Sequence, residues 1–265
     1  MKRTLSSAVA LLGAVVMLTT SCSKSSIILT PANNSNINAA MAKQLALDIY
    51  RSMSGNFKSS SAEGLKTNAA NGCGSVVTTP SNSTTTSGDT TRVFTGNRVF
   101  TYMCNGFYNN GKTLDAYLLK DQYATEETGN GFKNIYRTNL DYTVKAKTWD
   151  YTHVDVTGNT SIDNYTSKLS GGNVTEWHTL KTDYVWESVI AQRDVLTNAS
   201  RFVFGLVTFN TTIVNNVAGT AQQTYQLKGK IVFRDDNKMT TMFISDNGQY
   251  KTYLTDLTTG QVTEI

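Results

Sequence analysis

Residues 135–147 read IYRTNLDYTVKAK. Tyr136, Leu140, Tyr142, Val144 and Ala146 alternate with Arg137, Asn139, Asp141, Thr143, Lys145 and Lys147, the period of two that sets one face of a strand against a core and the other in water. A slip of one residue would exchange the two sets, so the register is strongly specified. The alternation returns from Thr224 to Arg234, with Tyr225, Leu227, Ile231 and Phe233 against Gln226, Lys228, Lys230 and Arg234. Between these runs, Arg201 to Thr211 is apolar on both faces through Phe202, Val203, Phe204, Leu206, Val207 and Phe209, which predicts a central strand.

Working outward, turn signals separate the runs: Asn109-Asn110-Gly111, Gly129-Asn130-Gly131, Gly158-Asn159, Asp235-Asp236-Asn237 and Asp246-Asn247-Gly248. Links this short join antiparallel neighbours. About ten or eleven strands follow Ser75, more than a flat sheet carries without curling or splitting. Upstream, Ile37, Met41, Leu45, Ile49 and Met53 recur at every fourth position, with Ala42, Ala46 and Tyr50 alongside. That spacing predicts an amphipathic helix, N-capped by Asn36 and ending near Gly55. Lys43 and Arg51 are weak basic flanks for membrane-surface binding, with Asp48 opposing them, so packing on the sheet is the expected use of the stripe. The fold expected is mainly β, one N-terminal amphipathic helix on a large curved antiparallel sheet, either half-barrel or sandwich.

The first 21 residues have a basic start at Lys2 and Arg3, an apolar stretch from Ala8 to Leu18 and small residues up to Ser21. These are the parts of an export signal, and the apolar stretch is too short to span a bilayer. Its removal leaves 22 basic against 20 acidic residues, so the balance falls from +4 to +2. With lysines and arginines spread singly there is no basic stripe to neutralise a phosphate backbone, and nucleic acid is not expected as a partner. The domain reading is a leader over 1–21, Cys22 and a tether over 22–35, and one β-rich domain over 36–265. Tyrosine is abundant at 13 residues and proline limited to Pro31 and Pro80, a profile of long strands joined by tight turns.

Beyond Cys22 two cysteines remain, Cys73 and Cys104. In an exported chain a bond between them is the expectation, with two free buried thiols as the alternative. The closed loop would contribute about 3.5 to 4 kcal/mol, an upper figure. It encloses Thr84-Thr85-Thr86-Ser87-Gly88, small, polar and without a hydrophobic period, and so expected to be loop-like. Neither cysteine has a second thiol at ligand spacing.

Catalytic signatures are scarce. His153 and His178 have no histidine or cysteine neighbour at metal-ligand spacing, and His178, after Glu176 and Trp177, reads as a satisfied or exposed strand histidine. Phosphate-cradling glycine loops, glycine-flanked serine elbows and zinc-protease helices are missing from the sequence. Glu126-Glu127 reads as part of a solvated turn, and the Asp235 and Asp246 clusters lack the acidic spacing of a calcium loop. No catalytic residue, metal or cofactor is therefore expected. Phe100, Tyr102, Tyr117, Tyr136, Tyr142, Trp149, Tyr151, Trp177, Tyr184, Trp186, Tyr225 and Tyr253 line either a groove for sugar or lipid or an ordinary strand core.

Leu18-Thr19-Thr20-Ser21-Cys22 resembles a bacterial lipobox, with leucine displaced by one position. The alternative is ordinary cleavage with Cys22 an incidental thiol. The lipobox, the polar tether and the Thr/Asn/Tyr-rich hairpins together resemble the β-rich lipoproteins of unknown function of the Bacteroidota. The resemblance implies lipidation, including palmitate, at Cys22 and an outer-membrane anchor. In that group an acidic run after the cysteine goes with surface export. Ser23-Lys24-Ser25-Ser26 has no carboxylate, which implies a periplasm-facing protein, and position 23 also lacks the Asp of inner-membrane retention. Asp89-Thr90-Thr91 looks like the O-glycosylation pattern of the phylum, on Thr90. A helix over a long curved sheet is also similar to periplasmic lipoprotein carriers. The expectation is a non-catalytic structural or binding module, with membrane lipid as partner through Cys22; the alternative is a carrier or receptor for a hydrophobic ligand or lipoprotein.

Overall fold

The computed structural model describes residues 34–57, 72–193, 200–244 and 248–265. The helix α1 (Asn34–Phe57) is followed by β1 (Val76–Ser87), β2 (Thr90–Met103), β3 (Ala116–Gly129), β4 (Phe132–Ala146), β5 (His153–Ser170), β6 (Asn173–Arg193), β7 (Ser200–Val217), β8 (Gln223–Phe233), β9 (Lys238–Ile244), β10 (Tyr250–Asp256) and β11 (Val262–Glu264). They form one antiparallel meander in which every strand pairs with the next in sequence, from β1 at one edge to β11 at the other. The expected mainly β fold is present, as a single open sheet and not a sandwich.

The alternation in residues 135–147 sets β4 as expected. Thr138, Leu140, Tyr142, Val144 and Ala146 are buried, Tyr136 is half-buried, and Arg137, Asn139, Asp141 and Lys145 are exposed. Burial on one face extends through a contiguous cluster from Tyr102 on β2 to Tyr253 on β10. The wet face carries cross-strand charge pairs such as Lys133 with Glu126 at 2.7 Å. α1 touches β9, β10 and β11, while Asp48 on the same helix acts electrostatically on Tyr123, Tyr136 and Tyr184 of β3, β4 and β6. One helix reaches both only if the sheet wraps around it.

The helix starts two residues before the expected cap and ends two after Gly55. Met41, Leu45 and Ile49 are at most 1% exposed, with Ala42 and Ala46 equally enclosed. Their burial against the β core, rather than helix propensity alone, is what stabilises such a helix. Ile37 and Met53 lie outside the described side chains.

Four expectations are corrected. Gly158-Asn159 is not a turn but lies inside β5, facing a bulge at Glu187 of β6, where the register shifts between the Val156–Val189 and Gly158–Trp186 pairs. Gly158 has φ +144°, and a Cβ there would overlap the Asp141 carbonyl oxygen, so glycine serves close strand approach. Glu126 and Glu127 lie within β3; Glu127 accepts from Arg92 at 2.9 Å, and such cross-strand partners hold extended what looked like a turn. The segment between the cysteines is a hairpin, with Val76 to Ser87 paired residue by residue to β2. Every residue of β1 is exposed, so backbone pairing alone makes it a strand. Finally, β7 has the central position expected, but Phe204 is 67% exposed, since the register shift opposite Ile190 and Ala191 turns it outward.

The hairpin turns fall alternately at two rims of the sheet. At one rim lie the connections β1–β2, β3–β4, β5–β6, β7–β8 and β9–β10; at the other lie β2–β3, β4–β5, β6–β7, β8–β9 and β10–β11. Cys73 and Cys104 are bonded, Cα to Cα 5.6 Å, at the second rim, where the β1–β2 hairpin begins and ends.

Candidate functional site

The inner face of the sheet changes chemistry along the strands. Nearest the disulfide rim it is apolar, with Val156, Trp186, Val207, Ile231 and Phe233 at most 2% exposed. Trp186 is anchored by donating Nε1–H to the Thr160 hydroxyl at 3.0 Å, and Thr160 also bonds the Tyr142 hydroxyl. This tier is packed core.

The middle tier is polar yet enclosed. Asp48 sits on the same helical face as Leu45 and Ile49 and is 7% exposed. Gln44, one turn earlier, donates to its Oδ1 at 2.7 Å. Around it stand Tyr123, Tyr136 and Tyr184, whose phenols are all raised above the ordinary value, chiefly by burial. The Asp48 charge adds to the rise in each case. These phenols stay neutral at physiological pH. Thr182 and Thr211 share a buried hydroxyl pair at 3.0 Å.

Toward the opposite rim the inner face becomes charged. Glu176 accepts from Lys168 Nζ at 2.6 Å and lies 2.7 Å from His178 Nε2, and these two partners hold its carboxyl below the usual range, Lys168 contributing most. His178 Nδ1 is 2.9 Å from Asn215 Oδ1. The strand register explains the grouping: Lys168 faces Glu176 and His178 faces Asn215 across adjacent strands. On the other side, Arg92 Nη2 donates to Glu127 at 2.9 Å, and Asn134 donates to its second oxygen at 3.2 Å. Phe94, Tyr123 and Tyr136 form a ring series with centroids 6.3 and 6.1 Å apart.

His178 meets a carboxylate, the arrangement of a general base, but both of its ring nitrogens are engaged within the sheet, and a base needs a free nitrogen within reach of the proton it takes. Among the described residues no three His, Cys, Asp or Glu side chains come together as a metal site.

Cys22 lies outside the described residues. Thr90 is the first residue of β2, half-buried beside the Gly88-Asp89 turn. Of the aromatic set, Phe100, Tyr102, Tyr117, Tyr142, Tyr184, Trp186 and Tyr253 converge in or on the core, and Tyr136, Tyr151 and Tyr225 pack against it. Trp177 stacks on Tyr165 at 6.3 Å. Trp149 stands 71% exposed. Sequence reading missed Asp48 as an inner residue, although the steps Leu45, Asp48, Ile49 follow the i, i+3, i+4 pattern of one face. It also missed Tyr123, although Leu119, Asp121 and Tyr123 follow one another at steps of two along one face of β3.

Compared with family models, curated proteins and solved structures, the chain matches none.

Proposed function

We propose that this protein is a lipoprotein of the bacterial outer membrane, anchored through acylated Cys22 and facing the periplasm, whose β domain has a non-catalytic structural or binding role. The leader, the lipobox-like run and the uncharged residues after Cys22 support the anchor and its side of the membrane. The single observation behind the non-carrier role is that Met41, Leu45 and Ile49 are at most 1% exposed: the helix stripe fills the hollow that a carrier would keep for its passenger. O-glycosylation of Thr90 is part of the same reading. A carrier of a hydrophobic ligand or lipoprotein is the second reading, favoured by the series Phe94, Tyr123, Tyr136 on the inner face.

Native mass spectrometry of protein gently isolated from its host, followed by organic extraction, separates the two. The expected result is the mass of the acylated chain with no stoichiometric passenger. A reproducible bound lipid in addition to the N-terminal acyl groups overturns the first reading in favour of the carrier. For the anchor, fatty-acid labelling is expected to vanish in Cys22→Ala, and labelling that persists refutes it.

A further inference from the structure

Five exposed aromatic residues stand out among the described residues: Phe107, Tyr108, Trp149, Phe204 and Tyr250. Phe107 and Tyr108 lie in the β2–β3 connection, Trp149 in the β4–β5 connection, and Phe204 near the start of β7, so four of the five gather toward the disulfide rim. Tyr250, at the start of β10, is alone at the other. Val76, 59% exposed at the start of β1, joins the first group.

The loops that carry these rings are built and held. The Asp115 carboxylate, itself fully buried, accepts the backbone N–H groups of Gly106 and Tyr108 at 2.8 and 2.7 Å. The Phe107 and Tyr108 rings meet edge-on at 5.2 Å. Asp150 accepts both the backbone N–H and the hydroxyl of Thr152, fixing the turn beside Trp149. The neighbouring Tyr151 hydroxyl lies 3.5 Å from the Leu114 carbonyl oxygen, which ties the two loops together. A rim that fixes its rings in water has organised them for contact.

The course of α1 says what they contact. Lys43 lies beside Gly260, in the β10–β11 connection of this same rim, whereas Asp48 has advanced inward to the tyrosines of β3, β4 and β6. Asn34, nine residues before Lys43, therefore lies roughly 13 Å farther toward and past the disulfide rim. From Asn34 back to Cys22 the chain can extend no more than about 40 Å.

We propose that the disulfide rim docks on the bilayer surface, with Trp149, Phe107 and Tyr108 seated among the lipid headgroups. The proposal rests on the anchor at Cys22. The rings of Trp149 and Tyr108, with an apolar body and a polar tip, suit the interfacial layer, Phe107 adds apolar surface, and exposed Lys112 and Lys147 on the same two loops favour anionic headgroups. The β sheet then stands with its opposite, charged rim pointing away from the membrane.

The test reconstitutes the full mature protein from its host into phospholipid vesicles with brominated acyl chains, and compares it with Trp149→Phe and Trp177→Phe. Trp186 is buried and Trp177 lies near the far rim, so the emission quenched by bromine is expected to come from Trp149. Quenching should persist in Trp177→Phe and disappear in Trp149→Phe. Protein that floats with the vesicles but is not quenched, or is quenched equally in Trp149→Phe, overturns the docking while keeping the anchor. Protein lacking acyl groups by mass overturns the anchor instead; the same vesicles added from outside then decide the docking, upheld by quenching of Trp149 and refuted by its absence.

Discussion

Replacing Leu45 by alanine tests whether α1 fills the hollow of the sheet. Leu45 is fully buried among residues of the central cluster. Truncation removes three carbons, about 2.4 kcal/mol of transfer free energy at roughly 0.8 kcal/mol each. A packed site cannot collapse completely, so a cavity cost adds to this and brings the expected loss to about 3 to 5 kcal/mol. For a chain of this size that corresponds to a fall of roughly 6 to 20 °C in Tm. Lys43, two positions away and exposed, supplies the control, and Lys43→Ala should change stability by less than about 0.5 kcal/mol. Urea unfolding followed by far-ultraviolet circular dichroism, with unchanged m, measures both. Similar midpoints for the two variants would refute the reasoning, because a helix that merely roofs a loose or occupied cavity tolerates the truncation.

Other consequences are equally open to measurement. Leu140→Ala, at a 2% exposed position, should cost about 2 to 5 kcal/mol, whereas exposed Asn139→Ala should cost little; equal midpoints would contradict the β4 register. Gly158→Ala combines a positive φ with overlap on the β4 backbone and should lose at least about 2 kcal/mol. Gly219→Ala, at φ +83° with open space around it, should lose only about 1 kcal/mol, and the reverse order would show that crowding at the bulge is not what requires glycine. Replacing Cys73 and Cys104 by serine should cost up to about 3.5 to 4 kcal/mol, with hydrogen exchange rising first in β1; uniform exchange across the sheet would contradict a local staple. Tyr136 and Tyr184 have folded-state pKa values raised by burial, so their contribution is complete below about pH 10 and is lost as pH climbs beyond it. The alkaline unfolding midpoint should therefore rise in Tyr136→Phe/Tyr184→Phe, and an unchanged midpoint would speak against this source of alkaline sensitivity.

Strand register was legible where burial is one-sided. In β4, polar and apolar residues alternate because one face meets the core and the other meets water, and burial follows that pattern from Arg137 to Ala146, with Thr143 half-buried. The Asp48 position shows the limit: a carboxylate in an apolar stripe reads as surface until the tyrosines that receive it, on strands distant in sequence, are known. β1 was illegible for another reason, since a strand exposed on both faces carries no hydrophobic period, and its extended form comes from pairing with β2. At Gly158 the ambiguity is intrinsic, because a turn and a close approach of two strands demand the same freedom from glycine. The grouping of Lys168, Glu176, His178 and Asn215 depends on the register of three strands, which pattern alone does not supply.

The contacts of α1 with β9, β10 and β11 also impose an order on folding. Each strand of the meander pairs with its neighbour in sequence, so each pairing closes at a small entropic cost. The helix is the exception: it precedes every strand, yet besides the tyrosines of β3, β4 and β6 it packs on β9, β10 and β11, the strands farthest from it in sequence. Until those strands are made, Met41, Leu45 and Ile49 are only partly covered, and the growing chain carries an incompletely buried apolar stripe. Synthesis of β9 to β11 is therefore what completes the burial of α1, and a chain cut short before β9 would present that stripe to chaperones and proteases as the mark of an unfinished protein.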